Sequence, residues 1–480
     1  MRRVQAKNAG LFDRYFMGDV MKLSEYFEGL KNKRVTVVGA GISNSPLIEA
    51  LLKHDVHTTV CDKRSVEQLG ETYDYFLSLG AVFNLGEDYL DSLDADVIFR
   101  TPGLMPFDPA IADAVEKGAV LTSEMELFFE VCPCKIIGIT GSDGKTTTTS
   151  IIAQLLKSEG LCVHVGGNIG NPLLMTADDM DPSDVVVLEL SSFQLITMKK
   201  CPSIAIVTNL SPNHLDVHKD MDDYKEAKRN IFLRQNVFDV AIFNLDNEYT
   251  SDYAASAPGH IRYFSRQRAV DDGVYTDGET IFDAVDGKIT EIMKVSDILL
   301  PGVHNIENYL AALAAVRGFV SRETMIETAH CFSGVAHRIE LVRELDGVRF
   351  YNDSIASSPS RTIAGLRSFD RKVILIAGGK DKGIAFDELG DACVSYVKTL
   401  VLTGVTAQAI REAVEGASGY SSGYPEIIAE DDFEEAVRAA AAAAKDGDVV
   451  LLSPACTSFD KFRNFEHRGD VFREIVRGLE

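Results

Sequence analysis

Residues 135–156 read KIIGITGSDGKTTTTSIIAQLL. The apolar run Ile136–Ile139 predicts a buried strand, and the pattern from Ser150 to Leu156 predicts a helix. Between them stand Gly141, Ser142, Asp143, Gly144, Lys145 and the threonines from Thr146 and Thr147 to Thr149. A strand, a glycine loop, a Lys-Thr pair and a helix make a phosphate cradle. Glycines let backbone N–H groups approach phosphate oxygens, and a helix N-terminus adds partial positive charge. Lys145 is placed to reach the β/γ-phosphates, and the Thr146 hydroxyl to hold Mg²⁺. The full P-loop pattern would have its first glycine at 139, where Ile139 stands. A plain turn before an ordinary helix is the competing account; the position of the Lys-Thr pair argues against it. Alone, the loop implies a nucleotide phosphate without fixing the chemistry.

The surrounding chain has 480 residues, 46% of them hydrophobic, and a mean hydropathy near zero. That composition predicts a globular chain of several domains. No apolar run is long enough for a membrane-spanning helix. Arg2, Arg3 and Lys7 have no apolar signal core behind them, so export is not expected, and 1–30 reads as an amphipathic lead-in. The net charge of −24 argues against a nucleic-acid surface, which would be basic. Anionic small ligands remain compatible, since their sites need only a few local cations. Eight cysteines are scattered, and Cys132-Pro-Cys134 has no second pair to complete a zinc site. Reduced thiols in a cytoplasmic protein are the expectation.

Upstream of the loop, 34–62 reads as a β-α-β unit: strand RVTVV, a Gly39-Ala40-Gly41 turn, a helix to Leu52, and a strand from His57 to Cys61. Asp62 closes it where a Rossmann acid would meet a ribose hydroxyl. The third fingerprint glycine is replaced by Asn44. With Asp62, Lys63 and Arg64 together, a nucleotide site is preferred over a plain turn. A further strand, Asp96–Phe99, runs on to Thr101-Pro102-Gly103, and this first domain is expected to end at 123.

Downstream, GGNIGNP follows a short strand at Val163, and DVVVLEL (184–190) is an apolar strand of the kind found in parallel sheets covered on both faces. Glu189 at its end is placed to bind Mg²⁺. Strand 203–209 leads into SPNHLDVH, and a helix is expected over 221–233. There Lys228 shares the apolar stripe with Tyr224, Ile231 and Phe232. A lysine on that face is either buried and paired, neutral or modified, or it snorkels at the stripe's edge; both readings stand. Residues 250–298 read as a β-rich insertion. Helix 301–315 carries Asn305 and Asn308 one turn apart, either to read a base edge or, for Asn305, to cap. From 336, strands at 348–352, 373–377, 400–402 and 449–452 alternate with helices and imply another parallel sheet. Its strand ends carry Asp353-Ser354, the GGKDK run and Ser453-Pro454, where ligands of such sheets bind.

TGSDGKTT, GNIG, ELSSFQL, TNLSPNHLD, YKEAK, HNIENYLAALAA, HRIE, YNDS and SPACTSFDKFRNFEHRG occur in this order. Together they resemble the Mur ligases, the cytoplasmic ATP-dependent amide-bond ligases of peptidoglycan synthesis. The resemblance spans Arg34 to the C-terminus. It implies an α/β protein of three domains: a Rossmann-like UDP-sugar domain (1–123), a central P-loop ATP domain (124–335), and a C-terminal Rossmann-like amino-acid domain (336–480). The C-terminal motif favours the member that adds D-glutamate to UDP-N-acetylmuramoyl-L-alanine, and no DNPR-like motif of the diaminopimelate- or lysine-adding members is present.

Carried over by motif, Gly141 to Thr147 bind ATP phosphates, as a loop in which Lys145 is catalytic. Thr146, Glu189, His214 and a carbamylated Lys228 hold two Mg²⁺ ions. Asn305, Asn308, Arg338 and Asp353 match ATP contacts. Ile42, Ser43, Asp62, Lys63, Arg64, Gly103 and Asn168 match UDP-sugar contacts, and Ser357, Lys382, Ser458, Phe459 and Phe465 match the D-glutamate pocket. A monomer without nucleic-acid or membrane partners is expected. The chain departs from the family's D-S-K-A-T segment, which here is Asp353-Ser354-Ile355-Ala356-Ser357. Arg361 is the nearest cation able to replace the lost lysine. Three rivals are weighed. A nicotinamide oxidoreductase fits neither the incomplete fingerprint nor the P-loop. A folylpolyglutamate-type ligase, or a Mur ligase with another acceptor, shares the P-loop and carbamate layout. A non-catalytic nucleotide switch would need no amino-acid pocket.

Overall fold

The computed structural model describes residues 21–479, with 92, 213–216, 382 and 422 excepted. It divides into two compact units, Met1–Lys145 with Gly160–Arg262, and Thr146–Glu159 with Tyr263–Glu480.

In the first unit, five parallel strands run in the order Val82–Leu85, Thr58–Asp62, Val35–Val38, Val97–Phe99, Val120–Thr122. Chain order reverses between Val35–Val38 and Val97–Phe99. That reversal leaves a crevice outside the strands' carboxyl ends, the place where open α/β sheets bind ligands. Five more parallel strands of this unit run in the order Val240–Asn244, Ile204–Val207, Lys135–Thr140, Val185–Glu189, Val163–Gly167. Residues 185–188 and 204–207 are buried at every position, because a parallel strand covered on both faces has no polar side. The registers Ile139↔Glu189, Thr140↔Val207 and Gly167↔Glu189 align the carboxyl ends of four strands. The phosphate loop, Glu189 and Asn168 therefore emerge side by side.

The second unit carries a six-stranded sheet in the order Glu340–Leu345, Val348–Asn352, Val449–Leu452, Val373–Ala377, Val397–Leu402, Glu426–Ala429. All its pairs are parallel except the first. Alternation along its strands sorts the side chains onto two cores. Leu375, Leu451 and Leu400 pack with Leu366, Leu389, Ile410 and Val414 of three helices. Ile374, Ile376, Val450 and Leu452 pack with Val437, Phe472 and Val476 of two others. Within 250–298 the antiparallel ladder Gly273–Thr276, Thr280–Val285, Lys288–Lys294 is present, but the segment opens on a helix, Glu248–Tyr253, capped by Asn247.

Boundaries differ from the sequence expectation in three places. The helix after the phosphate loop spans Lys145–Ser158, starting five residues before Ser150, with Thr147, Thr148 and Thr149 buried. The helix expected over 221–233 ends at Arg229, and Ile231 and Phe232 reach the core from beyond it. Asn305 does not cap its helix: Gly302 does, with a φ of 97°.

Candidate active site

Gly141 lies at a φ of 146°. A Cβ there would meet the Thr208 hydroxyl at 1.9 Å, so only glycine fits this approach. The loop is laced to the neighbouring strand end. Ser142 N donates to the Asn209 carbonyl (2.9 Å) and Asp143 N to the Asn209 side chain (2.9 Å). The Thr208 hydroxyl donates to the Asp143 carbonyl (2.6 Å). Lys145 Nζ donates to the Gly141 and Ser142 carbonyls at 3.0 and 2.8 Å, which folds the cation over the loop. Thr146 and Thr147 follow in the first turn of the helix.

Of the two readings left open for Lys228, burial is the one observed: the residue is 2% exposed. Its Nζ donates to Thr140 Oγ1 (3.2 Å) and the Gly141 carbonyl (2.9 Å) and lies 4.7 Å from the centre of the Tyr224 ring. Burial, and secondly the Lys145 charge, press its pKa well below the ordinary lysine value; Glu189 and Asp143 oppose this only in part. Glu189 is itself buried and accepts from the Asn168 amide at 2.9 Å.

The helix bearing Lys228 is fixed by its own first turn. Asp220 caps it through Asp223 N. The Asp223 carboxylate also meets His218 Nδ1 (2.9 Å), and His218 Nε2 meets the Ser192 hydroxyl (3.0 Å), three residues beyond Glu189. His214 lies outside the described residues, as does Lys382.

At the switch point of the first sheet, Gly39 N donates to the Cys61 carbonyl (2.7 Å). Asp62 is buried against the turn. It accepts from Ala40 N at 2.8 Å and from the Arg64 guanidinium at 2.6 Å. Burial raises its pKa, but the Arg64 hydrogen bonds outweigh that and hold it at about 2. Asn44 takes the place of the missing glycine and donates to the Val38 and Gly39 carbonyls, both at 3.0 Å. Arg64 also donates to the Ala40 carbonyl at 3.1 Å, so three side chains pin the turn. Ile42 is left 83% exposed, and Ser43, Lys63 and Gly103 are exposed with it.

In the second unit, Asn308 accepts from Thr148 Oγ1 (3.3 Å) and donates to Asn305 (3.0 Å), which donates to the Pro301 carbonyl (2.6 Å). Asp353 is buried at a strand end and accepts from Ser453 Oγ (2.7 Å). Burial pushes its carboxyl up to about 7, against the pull of Ser453 and Arg338. Arg338 itself is exposed. Ser458 is buried, Phe459 exposed, Ser357 half-buried, and Phe465 opens the last helix.

Two family models match: "Mur ligase middle domain" over 139–316 and "Mur ligase, glutamate ligase domain" over 337–456. A UDP-N-acetylmuramoylalanine–D-glutamate ligase of Ruminiclostridium cellulolyticum is 50% identical over 462 residues, 96% of this chain and 99% of that one. The chain belongs to the Mur ligase family. Two solved structures share the fold. One is a UDP-N-acetylmuramate–alanine ligase of Thermotoga maritima, with TM-score 0.54 and 18% identity over 94% of this chain and all of that one. The other is a UDP-N-acetylmuramoyl-L-alanyl-D-glutamate–2,6-diaminopimelate ligase, with TM-score 0.56 and 19% identity over 80% and 93%.

As a Mur ligase the chain is an ATP-dependent ligase, and two buried arginines with no role assigned from the sequence tie its segments together. Arg468, fully buried, donates to Ser354 Oγ (3.0 Å), to the Ser354 carbonyl (2.8 Å) and to the Cys456 carbonyl (3.2 Å). It ties the segment carrying Asp353 and Ile355 to the segment carrying Ser458. Burial lowers its pKa to about 10. Arg100, also buried, reaches from the first sheet to the Phe193 carbonyl (2.6 Å) and Thr197 (2.9 Å). A charged residue in a loop gives no warning of burial; here backbone carbonyls replace water around the guanidinium. The HRG triplet at 467–469 was the one signal for Arg468.

The helix Pro359–Leu366 has proline in its first turn, a residue that fits there. Arg361 projects from it, exposed, and its guanidinium donates to the Ile355 carbonyl at 3.3 Å. The cation thus stands beside the position of the lost lysine. Arg361→Ala is expected to lower kcat more than any KM, because a contact made only in the transition state acts that way. Ile355→Lys added to it should recover part of the loss. A kinetically silent Arg361→Ala would show that the charge comes from elsewhere.

Proposed function

We propose that this Mur ligase joins D-glutamate to UDP-N-acetylmuramoyl-L-alanine, at the expense of ATP, through an acyl phosphate. The observation that carries the reaction class is the buried amine of Lys228, hydrogen-bonded to Thr140 and to the Gly141 carbonyl at the phosphate loop. The acceptor rests on the names of relatives that are half identical over nearly their full length. The substrate carboxylate attacks the γ-phosphoryl group of ATP, the bond to the bridging oxygen breaks and ADP leaves, giving the acyl phosphate. The D-glutamate amine then attacks the acyl carbon, and phosphate leaves from the tetrahedral intermediate. Repulsion between two anions is the main barrier to the first step, and positioned cations lower it. Lys145 supplies one such cation.

The donor set suits Mg²⁺, which prefers oxygen ligands. Thr146, Glu189, His214 and a carbamate on Lys228 would hold two ions, and these would offset phosphate charge. The burial of Lys228 supports carbamylation: a neutral amine would attack CO₂, lose a proton and become an oxygen ligand. Asn305, Asn308, Arg338 and Asp353 are assigned to ATP. Ile42, Ser43, Asp62, Lys63, Arg64, Gly103 and Asn168 are assigned to the UDP-sugar, with Asp62 acting through the turn it holds. Ser357, Lys382, Ser458, Phe459 and Phe465 are assigned to the acceptor. Three domains, 1–123, 124–335 and 336–480, are supported by the first parallel sheet and by family-model limits at 139–316 and 337–456. Among the described residues no helix is long and apolar enough to cross a membrane, and a cytoplasmic monomer is the proposed working form.

Phosphate release with ATP and UDP-N-acetylmuramoyl-L-alanine, measured against D-glutamate, L-glutamate, L-alanine, L-lysine and diaminopimelate, tests the acceptor. D-glutamate should be the only efficient one. Best turnover with any other amino acid would assign the chain to a different branch of the family.

A further inference from the structure

The ends of the strands opposite the phosphate loop carry a second cluster. Cys162 and Asp184 stand immediately before the strands Val163–Gly167 and Val185–Glu189, whose register pairs Val163 with Val185. Val185 N donates to the Cys162 carbonyl at 3.0 Å, so the pairing extends back to bring Cys162 opposite Asp184. His164 lies two residues after Cys162 and therefore on the same face. His164 Nε2 is 2.8 Å from Asp184 Oδ2 and 3.8 Å from Cys162 Sγ. One ligand atom from each of the three residues lies within 4.8 Å of the others.

We propose that Cys162, His164 and Asp184 form a binding site for a thiophilic divalent cation of the Zn²⁺ type, separate from the ligase centre. Thiolate, imidazole and carboxylate are the donors zinc takes in fours. A tetrahedral zinc would set the S···N separation at about 3.6 Å and the N···O separation at about 3.3 Å. The thiol and imidazole already stand near the first value. Reaching the second requires only that the His–Asp hydrogen bond open by about half an ångström, from 2.8 Å. Binding releases the Cys162 thiol proton, leaves His164 neutral, and water completes the fourth position at the exposed side of Cys162. Mg²⁺ competes poorly, because thiolate sulfur is not a ligand it takes. About six residues of strand, roughly 20 Å, separate Cys162 from Asn168 at the other end, so the site does not draw on the ligase residues. Cysteine spacing gave no hint of it, since the three donors come from two strand ends and no C-x-x-C repeat is involved.

The test is zinc binding to the whole protein in excess Mg²⁺, with the cobalt-substituted protein read by absorption. One Zn²⁺ per chain should bind. Affinity should fall at least about a hundredfold in Cys162→Ser and in His164→Gln, and stay unchanged in Cys331→Ser, which removes another exposed thiol. The cobalt protein should show a thiolate charge-transfer band that Cys162→Ser abolishes, while that variant keeps full ligase turnover without zinc. Zinc affinity indifferent to Cys162→Ser and His164→Gln, or a cobalt spectrum without the thiolate band, overturns the proposal.

Discussion

Lys228→Ala should lose about 10³-fold in kcat, the scale of removing a preorganised charge from a reacting phosphate site. Acetate or formate should restore part of it, because a small carboxylate can occupy the space and the charge of the carbamate. The expectation rests on where the amine sits. Its nitrogen is enclosed by Thr140, Gly141 and the Tyr224 ring, where a full positive charge is poorly solvated. Held well below the usual lysine value by burial and by Lys145, the amine is available in its neutral form, the only form that attacks CO₂. Wild-type turnover should fall in buffer stripped of CO₂ and return on adding bicarbonate. An alanine variant with full activity, or one indifferent to carboxylates and to CO₂, would leave Lys228 as a packing residue only.

Lys145→Ala should reduce phosphate release by about 10³-fold or more, as expected for a cation that meets the transferring phosphoryl group. The same variant should bind UDP-N-acetylmuramoyl-L-alanine with unchanged Kd. Lys145 donates to the loop carbonyls of Gly141 and Ser142, whereas the Gly39–Gly41 turn is held by Asp62, Arg64 and Asn44. Titration of the sugar nucleotide by calorimetry, beside a phosphate-release assay, separates the two effects. Equal loss in both would mean that the turn and the loop serve one ligand.

Most of the strands that the sequence disclosed are central ones, Val163–Gly167 at a sheet edge being an exception. Val185–Glu189 and Ile204–Val207 are apolar throughout because both of their faces are covered. The four strands that escaped notice are Val82–Leu85, Val120–Thr122, Glu340–Leu345 and Glu426–Ala429, and each is the outermost of its sheet. An edge strand is short and half-solvated, so it shows neither an apolar run nor strict alternation. The site divides in the same way. Glycines and Lys-Thr announce the phosphate loop because backbone geometry demands those residue types. Arg100 and Arg468 did not stand out, since a charged side chain reads as solvated until its distant partners are known. Asp62 was legible as a strand-end acid, but whether it faced a ribose or Arg64 depended on a side chain two residues on.

Gly141 has a consequence for inhibition. Any side chain there would collide with the Thr208 hydroxyl and with Asn209 backbone atoms, and its φ of 146° excludes other residues even if Thr208 shrank. The Ser142 and Asp143 N–H groups are set by Asn209. A compound that recognised the main chain of this loop, not its side chains, would address atoms that substitution at 141 cannot rearrange without losing the loop. Escape by point mutation is closed at that position, and resistance would have to arise elsewhere.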